Sequence, residues 1–246
     1  MVHAERNHAV AFHDDLAERW EQKYRRAPFR RRAEAILNLP GGQAQAGERW
    51  LDAGCGTGTI ARRLASQGCD VTAVDGSARM IEVAQGAADR ISPLHFLKVN
   101  DIVELPFSNA TFDGIVCSSV LEYVDSPSGV LSELARVLRD SGRLIVSVPN
   151  RGAIIRRLQK AAHWTTTRCG LAPWPGYIGL SRHEYTRQEF SRVLGASGFA
   201  VLAWRYFGPG MPSVLSDTRY AGTLLLLVCV KASGTGADSN HRAPAG

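Results

Sequence analysis

The chain has 246 residues, 45% of them hydrophobic and 21% charged, which suits one medium globular domain with a substantial core and excludes a low-complexity or fibrous polymer. Lys plus Arg outnumber Asp plus Glu by 29 to 23, a formal charge of +6 that leaves nucleic acid, an anionic membrane or a negatively charged substrate open as partners. The cysteines, Cys55, Cys69, Cys117, Cys169 and Cys229, are odd in number, widely spaced and free of CxxC or Cys/His clusters, so neither a disulfide framework nor a zinc site is indicated.

The N-terminal stretch is too charged for a signal peptide, and the longest apolar run, Leu224 to Val230, is far short of a bilayer span. The expectation is a cytoplasmic chain. Val10, Phe12, Leu16, Trp20 and Tyr24 recur at helical spacing from Ala9 to about Arg26, and Arg30 to Leu37 predicts a second helix before Pro40-Gly-Gly42. Basic residues crowd this region (Arg19, Lys23, Arg25, Arg26 and Arg30 to Arg32), and the Arg30-Arg-Arg32 run reads as a solvated face. Neither this stretch nor the later basic one interleaves base-stacking aromatics, so nucleic acid is not expected as a partner.

The period then changes. Short apolar runs bounded by turn residues predict strands at Arg49 to Ala53, Asp70 to Val74, His95 to Val99, Phe112 to Cys117 and Arg143 to Val148. Helical patterns lie between them at Thr59 to Gln67, Ser77 to Ala87 and Ser128 to Arg139. Such alternation predicts a doubly wound α/β domain with a parallel sheet. A basic, Trp-containing insertion follows Pro149. A helix at Thr186 to Ala196, opened by the capping-box pair Thr186 and Glu189, and strands at about Phe199 to Phe207 and Gly222 to Lys231 close the domain. The expected organisation is an N-terminal helical cap over 1–42, the α/β domain over 43–231 with a lid insertion at about 150–184, and a disordered polar tail over 232–246.

The stretch Trp50 to Thr59 (WLDAGCGTGT) places Gly54, Gly56 and Gly58 between a strand and a helix, where missing Cβ atoms let the backbone approach a ligand. Asp75, 17 residues after Gly58, ends the second strand, where a carboxylate can accept from both ribose hydroxyls. The spacing is GxGxG rather than the GxGxxG of dinucleotide sites, and Asp52 stands inside the preceding strand. A carboxylate aimed at the ligand repels a pyrophosphate but suits a cation such as a sulfonium.

On these residues the chain resembles the class I S-adenosylmethionine-dependent methyltransferases. LDAGCGTG is similar to the family's first motif, TAVD to its second, and VND (Val99 to Asp101) lies near its third; FDGIVCSSVLEYV and VLRDSGRLIVSVPN resemble the fourth- and fifth-strand units. The resemblance implies a Rossmann-like seven-stranded sheet, mostly parallel with a C-terminal antiparallel strand, and S-adenosylmethionine as cofactor. It implies that Asp52, Gly54 and Gly56 contact the methionine portion, Asp75 the ribose and Asp101 the adenine amino group, that Ser118 or Ser119 lies under the cofactor, and that Cys55, Gly58, Gly76, Met80, Asn100 and Ile102 belong to the same cofactor site. A nicotinamide-dependent oxidoreductase, disfavoured by the glycine spacing and Asp52, and a non-catalytic cofactor-binding domain are the competing classes.

For the acceptor, Ser181-Arg-His183-Glu-Tyr-Thr186 resembles the matching stretch of the polyprenyl-hydroxyphenol O-methylases of quinone biosynthesis. This chain departs from them after the fourth strand, with Leu121-Glu122-Tyr123-Val124 where they usually have Leu-Glu-His-Val. The expected acceptor is a small molecule, phenolic or lipid-like, methylated on a hydroxyl; N- or C-methylation of another small acceptor is the alternative. His183 is the expected base, Glu122 a second candidate for a base or metal site, and nothing compels a metal. Trp164, Trp174 and Tyr177 are candidates to line the acceptor pocket. On a helical wheel of 153–164, Ile154, Ile155, Leu158, Ala161 and Ala162 share one arc and Arg156, Arg157, Lys160 and His163 the other. Two readings follow: a lid helix with its apolar arc on the domain and its basic arc in water, or a peripheral contact with an anionic membrane.

Overall fold

A computed structural model describes residues 2–24, 27–88, 93–208 and 216–232. The expected tail from 233 onward, Arg25, Arg26 and part of the loop before the last strand lie outside the described residues. Two helices, α1 (Val2–Tyr24) and α2 (Ala27–Leu37), precede an alternating series: β1 (Arg49–Ala53), α3 (Thr59–Ser66), β2 (Asp70–Asp75), α4 (Ala78–Ala87), β3 (Leu94–Lys98), β4 (Phe112–Ser118), α5 (Pro127–Val137) and β5 (Leu138–Pro149). Then come α6 (Ile154–Arg168), a 3-10 turn (Gly176–Leu180), α7 (Arg187–Ala196), β6 (Phe199–Phe207) and β7 (Leu224–Lys231).

The seven strands form one sheet in the order β3-β2-β1-β4-β5-β7-β6. Neighbours from β3 to β5 pair in parallel, and β7 inserts antiparallel between β5 and β6. The expected mostly parallel sheet with one antiparallel C-terminal strand is therefore what forms. Apolar side chains on both faces explain why the central strands read as continuous hydrophobic runs. One face packs Leu51, Ile115 and Leu144 against Leu131 and Leu134 of α5 and Phe190 of α7. The other packs Trp50, Val116 and Ile145 against Ile36 of α2 and Ile60 and Leu64 of α3. Gly114 is needed where Trp50 lies, since a Cβ there would come within 2.4 Å of the indole.

Helix starts follow local chemistry. Ser77 caps α4 by accepting from the Met80 N–H at 3.0 Å. Ser126 accepts from Gly129 N–H at 3.1 Å ahead of Pro127. Thr186 and Glu189 form the expected reciprocal capping box. The fifth strand departs from expectation: it begins at Leu138, directly after α5, where the sequence continues a helical pattern to Arg139. Leu138 pairs with Phe112, and a register irregularity lets the strand resume at Arg143 opposite Gly114. Among the described residues no helix is long and apolar enough to cross a membrane.

Candidate cofactor and acceptor site

All the parallel strands end at one edge, and the loops leaving that edge enclose a cavity of about 1070 Å³. Its wall includes Gly54, Cys55, Gly56, Asp75, Gly76, Met80, Asn100, Asp101, Ile102, Ser118, Ser119 and Glu122. Asp52, Gly58 and His183 are not on that wall.

The three glycines do different things. All have positive φ, but a Cβ at Gly54 would come 2.2 Å from a Val120 methyl and one at Gly58 2.7 Å from the Phe96 ring, whereas one at Gly56 would meet nothing within 4 Å. Gly54 and Gly58 are thus packing positions, and Gly56 opens the backbone onto the cavity. Asp75 ties this loop to the next: Oδ2 accepts from Gly56 N–H at 2.8 Å and Oδ1 from Ser77 N–H at 2.9 Å. Burial pushes the Asp75 carboxyl up, opposed by these two N–H bonds and by His13.

Asp52 sits behind the loop, buried, and Oδ2 accepts from Ala61 N–H at 3.0 Å, which caps α3 from the strand before it. Burial pushes its pKa up to about 7 against that hydrogen bond. The carboxylate of Asp52, expected to meet a sulfonium ligand, does not reach the wall and lies behind the loop. At the far rim, Asp101 Oδ1 accepts from Val103 N–H at 3.1 Å, an Asx turn. Glu133 holds the segment beyond it by accepting from Leu105 N–H at 2.6 Å and from Arg136.

At the end of β4, Ser119 has a φ of 56°, a left-handed conformation that costs a β-substituted residue energy. Ser147 on β5 holds it there, its Oγ accepting from Ser119 N–H at 3.0 Å. Arg32 of α2 donates from Nη2 to the hydroxyls of Ser118 and Ser119 at 2.9 and 2.7 Å. The basic run of α2 is therefore not wholly a solvated face. Arg32 falls three residues after Phe29 and one before buried Ala33, inside the helix's inward stripe, and that spacing was the available signal.

Beyond the serines lies the acceptor end. Glu122 is 3% exposed, lines the cavity, and its Oε2 has no hydrogen-bond partner among the described residues. Burial pushes its pKa up to about 7, against the pull of Arg32, Ser119 and Arg156. Tyr123, Arg156, Trp174 and Tyr177 share this end, and Trp164 stays outside, 63% exposed. From α1, His13 enters the cavity with its ring edge-on to Tyr123 at 5.2 Å. No sequence pattern singled His13 or Arg156 out.

His183 is where the structure departs most from the sequence reading. Its Nε2 lies 3.0 Å from the Val124 carbonyl, so that nitrogen carries the proton and donates. Arg182 beside it donates its N–H to Glu122 O at 2.8 Å and its guanidinium to Asp125. The 181–185 stretch is a clasp that holds the Glu122 turn, and the histidine is part of the clasp.

The lid helix also departs from the simpler reading. Arg156 of α6 is buried, 5% exposed, donating to Glu184 Oε1 from Nε and Nη2 at 3.0 and 2.7 Å. Lys160 reaches Glu184 Oε2 at 2.5 Å and His163 Nδ1 lies 3.1 Å from Pro175 O. Ile154, Leu158 (64%), Trp164, Leu171 and Trp174 are exposed. The two arcs are therefore mixed: Arg156 turns inward to Glu184, and His163, Ile155 and Ala162 are half-buried, whereas Arg157 and Lys160 share the exposed side with Ile154 and Leu158.

One titration follows from Asp52. Its folded pKa, raised to about 7, exceeds the ordinary carboxylate value near ~3.9, so between those values the native state binds more protons than the unfolded one. Stability then declines as pH rises from about 4 to 7, by at most about 1.4 kcal/mol per unit. Asp52→Asn, whose amide oxygen can still accept from Ala61, is expected to flatten the fall in thermal midpoint between pH 5 and 7.5; an unchanged slope would show that Asp52 does not titrate there.

Comparison with known proteins agrees with this geometry. Residues 51–146 match the family model described as "Methyltransferase domain". The chain is 39% identical over 189 residues to a demethylmenaquinone methyltransferase of Clavibacter sepedonicus, covering 72% of this chain and 76% of that one. It is 36% identical over 163 residues to a ubiquinone biosynthesis O-methyltransferase of Xylella fastidiosa, covering 58% and 65%. Against the demethylmenaquinone methyltransferase of Tropheryma whipplei, 39% identical over 120 residues, the match spans about half of the relative's length, 47%. The fold is similar to that of a magnesium protoporphyrin IX methyltransferase from Synechocystis, with a TM-score of 0.63 at 20% identity over 87% of this chain and 94% of that one. The chain belongs to the class I S-adenosylmethionine-dependent methyltransferases.

Proposed function

We propose that this chain transfers a methyl group from S-adenosylmethionine to a hydroxyl of a small hydrophobic acceptor, phenolic or lipid-linked, with Glu122 as the base. The cofactor fits what the loops present: an open approach at Gly56, carboxylates at Asp75 and Asp101, and at Arg32 a cation suited to an amino-acid carboxylate. When bound, it supplies a methyl carbon already activated by the sulfonium. The protein's work is then to align the acceptor, exclude water and remove the hydroxyl proton.

The observation that carries this reading is the unpartnered Oε2 of Glu122. A buried acceptor without a donor costs roughly 1–3 kcal/mol; Oε2 is sealed as the side chain stands, but Glu122 lines the cavity, so a turn of its carboxyl toward a ligand O–H would relieve that cost. With a pKa of about 7, the carboxyl is partly ionised at neutral pH and suited to take that proton. Phe12, Leu16 and Trp20 of α1, Phe29 of α2 and Trp174 supply an apolar surround, which favours a hydrophobic acceptor. The relative named as a ubiquinone biosynthesis O-methyltransferase supports transfer to oxygen, and the one named as a demethylmenaquinone methyltransferase supports a hydrophobic acceptor without naming the atom.

The exposed arc of α6 extends the reading to a peripheral contact with an anionic lipid surface. Ile154, Leu158 and Trp164 face outward with Arg157 and Arg168 beside them, and Trp174 belongs both to this exposed patch and to the cavity wall, so a lipid-linked acceptor has a short way in.

Three measurements test these points. Glu122→Gln is expected to lower turnover on a short-chain prenylated hydroxyphenol by about 10²-fold or more while S-adenosylhomocysteine affinity is kept; full turnover, or turnover only on amine acceptors, would remove the hydroxyl reading. Asp75→Asn, which loses charge but keeps an acceptor, is expected to weaken S-adenosylhomocysteine binding by about tenfold, and an unchanged dissociation constant would take Asp75 out of the site. Leu158→Glu with Trp164→Glu should abolish co-sedimentation with phosphatidylglycerol vesicles, and a wild-type chain that never sediments with them would end the membrane reading.

A further inference from the structure

Arg156 is used on one side only. Nε and Nη2 are committed to Glu184, and Nη2 also donates to Ser181 Oγ at 3.2 Å, whereas Nη1 makes no hydrogen bond among the described residues. Glu184 is shared: its second oxygen is taken by Lys160. Two cations thus share one carboxylate, and of the three only Arg156 lines the cavity. Arg32 also lines the cavity, and its hydrogen bonds go to two neutral hydroxyls rather than to an acid. The remaining titratable groups facing this end are His13 from α1, Tyr123 and Asp125 after β4, and Tyr177 from the lid, and Asp125 is paired with Arg182. Once Glu122 carries a proton, Arg156 has only the carboxylate that it shares with Lys160, because Arg32 is taken by the cofactor's carboxylate in the reading above.

A buried cation costs several kcal/mol unless an anion or a set of acceptors meets it. Two phenols of the protein already lie in this field: Tyr123 and Tyr177 line the cavity, and Arg156 opposes the rise that burial imposes on both. An acceptor phenol on the same wall would feel the same cation without being fixed in the chain.

We propose that the acceptor hydroxyl is held as an oxyanion by Nη1 of Arg156, which makes Arg156 a catalytic residue and the determinant of preference for acidic hydroxyls. The inference rests on the hydroxyl reading above and adds to it. The balance is simple: the O–H bond breaks, its proton goes to Glu122 Oε2, and the electron pair stays on the acceptor oxygen beside Arg156. Phenols, whose anions are accessible near neutral pH, fit this pairing, and aliphatic alcohols do not.

The test uses 4-nitrophenol, whose visible absorption marks its phenolate, titrated over pH with the S-adenosylhomocysteine-bound protein in excess. The bound probe is expected to ionise at a pH about one unit or more below the free probe, and to lose that shift in R156M/E184Q, where the buried partner is neutralised together with the cation. E184Q alone leaves Arg156 charged and should retain or enlarge the shift. A bound probe that ionises at the free value, or equally in wild type and R156M/E184Q, would overturn the role of Arg156 and leave the hydroxyl reading standing. A protein that binds S-adenosylhomocysteine but not the probe would overturn both.

Discussion

Much of the site depends on one carboxylate. Asp75 accepts from the backbone of two successive loops, Gly56 after β1 and Ser77 after β2, and so fixes the spacing between the glycine turn and the start of α4. Ser77 is then oriented to cap α4 and to meet Asp14 of α1. Glu18 and Glu21 add ion pairs to Arg79 and Arg62, so that α1 lies across the same edge and brings His13, Leu16 and Trp20 into the cavity. A chain of local hydrogen bonds thus sets where a distant helix closes the site.

Charge is divided along the cavity. Acids predominate near the glycine turn, with Asp75 on the wall and Asp52 behind it, and guanidiniums flank the acceptor end at Arg32 and Arg156. Burial raises the proton affinity of Asp52, Asp75 and Glu122 because water is largely replaced by low-dielectric walls. Such a site suits a ligand with positive charge at one end and an acceptor that gives up a proton at the other.

The fold was legible because its signals are local. The runs at Arg49–Ala53 and Phe199–Phe207 coincide with β1 and β6, and Thr186 caps α7 as its spacing with Glu189 implies. The start of β5 was not legible, since Leu138 pairs with Phe112 of β4, which no window around Leu138 contains. At the site, glycines and strand-end acids could be named from spacing, but their separate duties depend on Val120, Phe96 and empty space. Arg32 and Arg156 were hidden because their partners, Ser118, Ser119 and Glu184, are far away in sequence. The wheel of α6 misled for a related reason: it cannot see Glu184, 28 residues on, whose carboxylate draws Arg156 inward.

The 181–185 clasp joins parts that are usually regarded as interchangeable. Ser181 and Glu184 hold α6 through Arg156, Arg182 and His183 hold the Glu122 turn, and Tyr185 exchanges backbone hydrogen bonds with Pro149 and Arg151 at the base of the lid. Lid and turn are therefore one mechanical unit, although more than twenty residues separate the lid's first residue from the turn. Grafting a lid from a relative without its own clasp would leave Arg156's successor unanchored and the Glu122 turn unheld. A change of lid in such a chain therefore has to carry residues 181–185 with it, because the same five residues hold both α6 and the Glu122 turn.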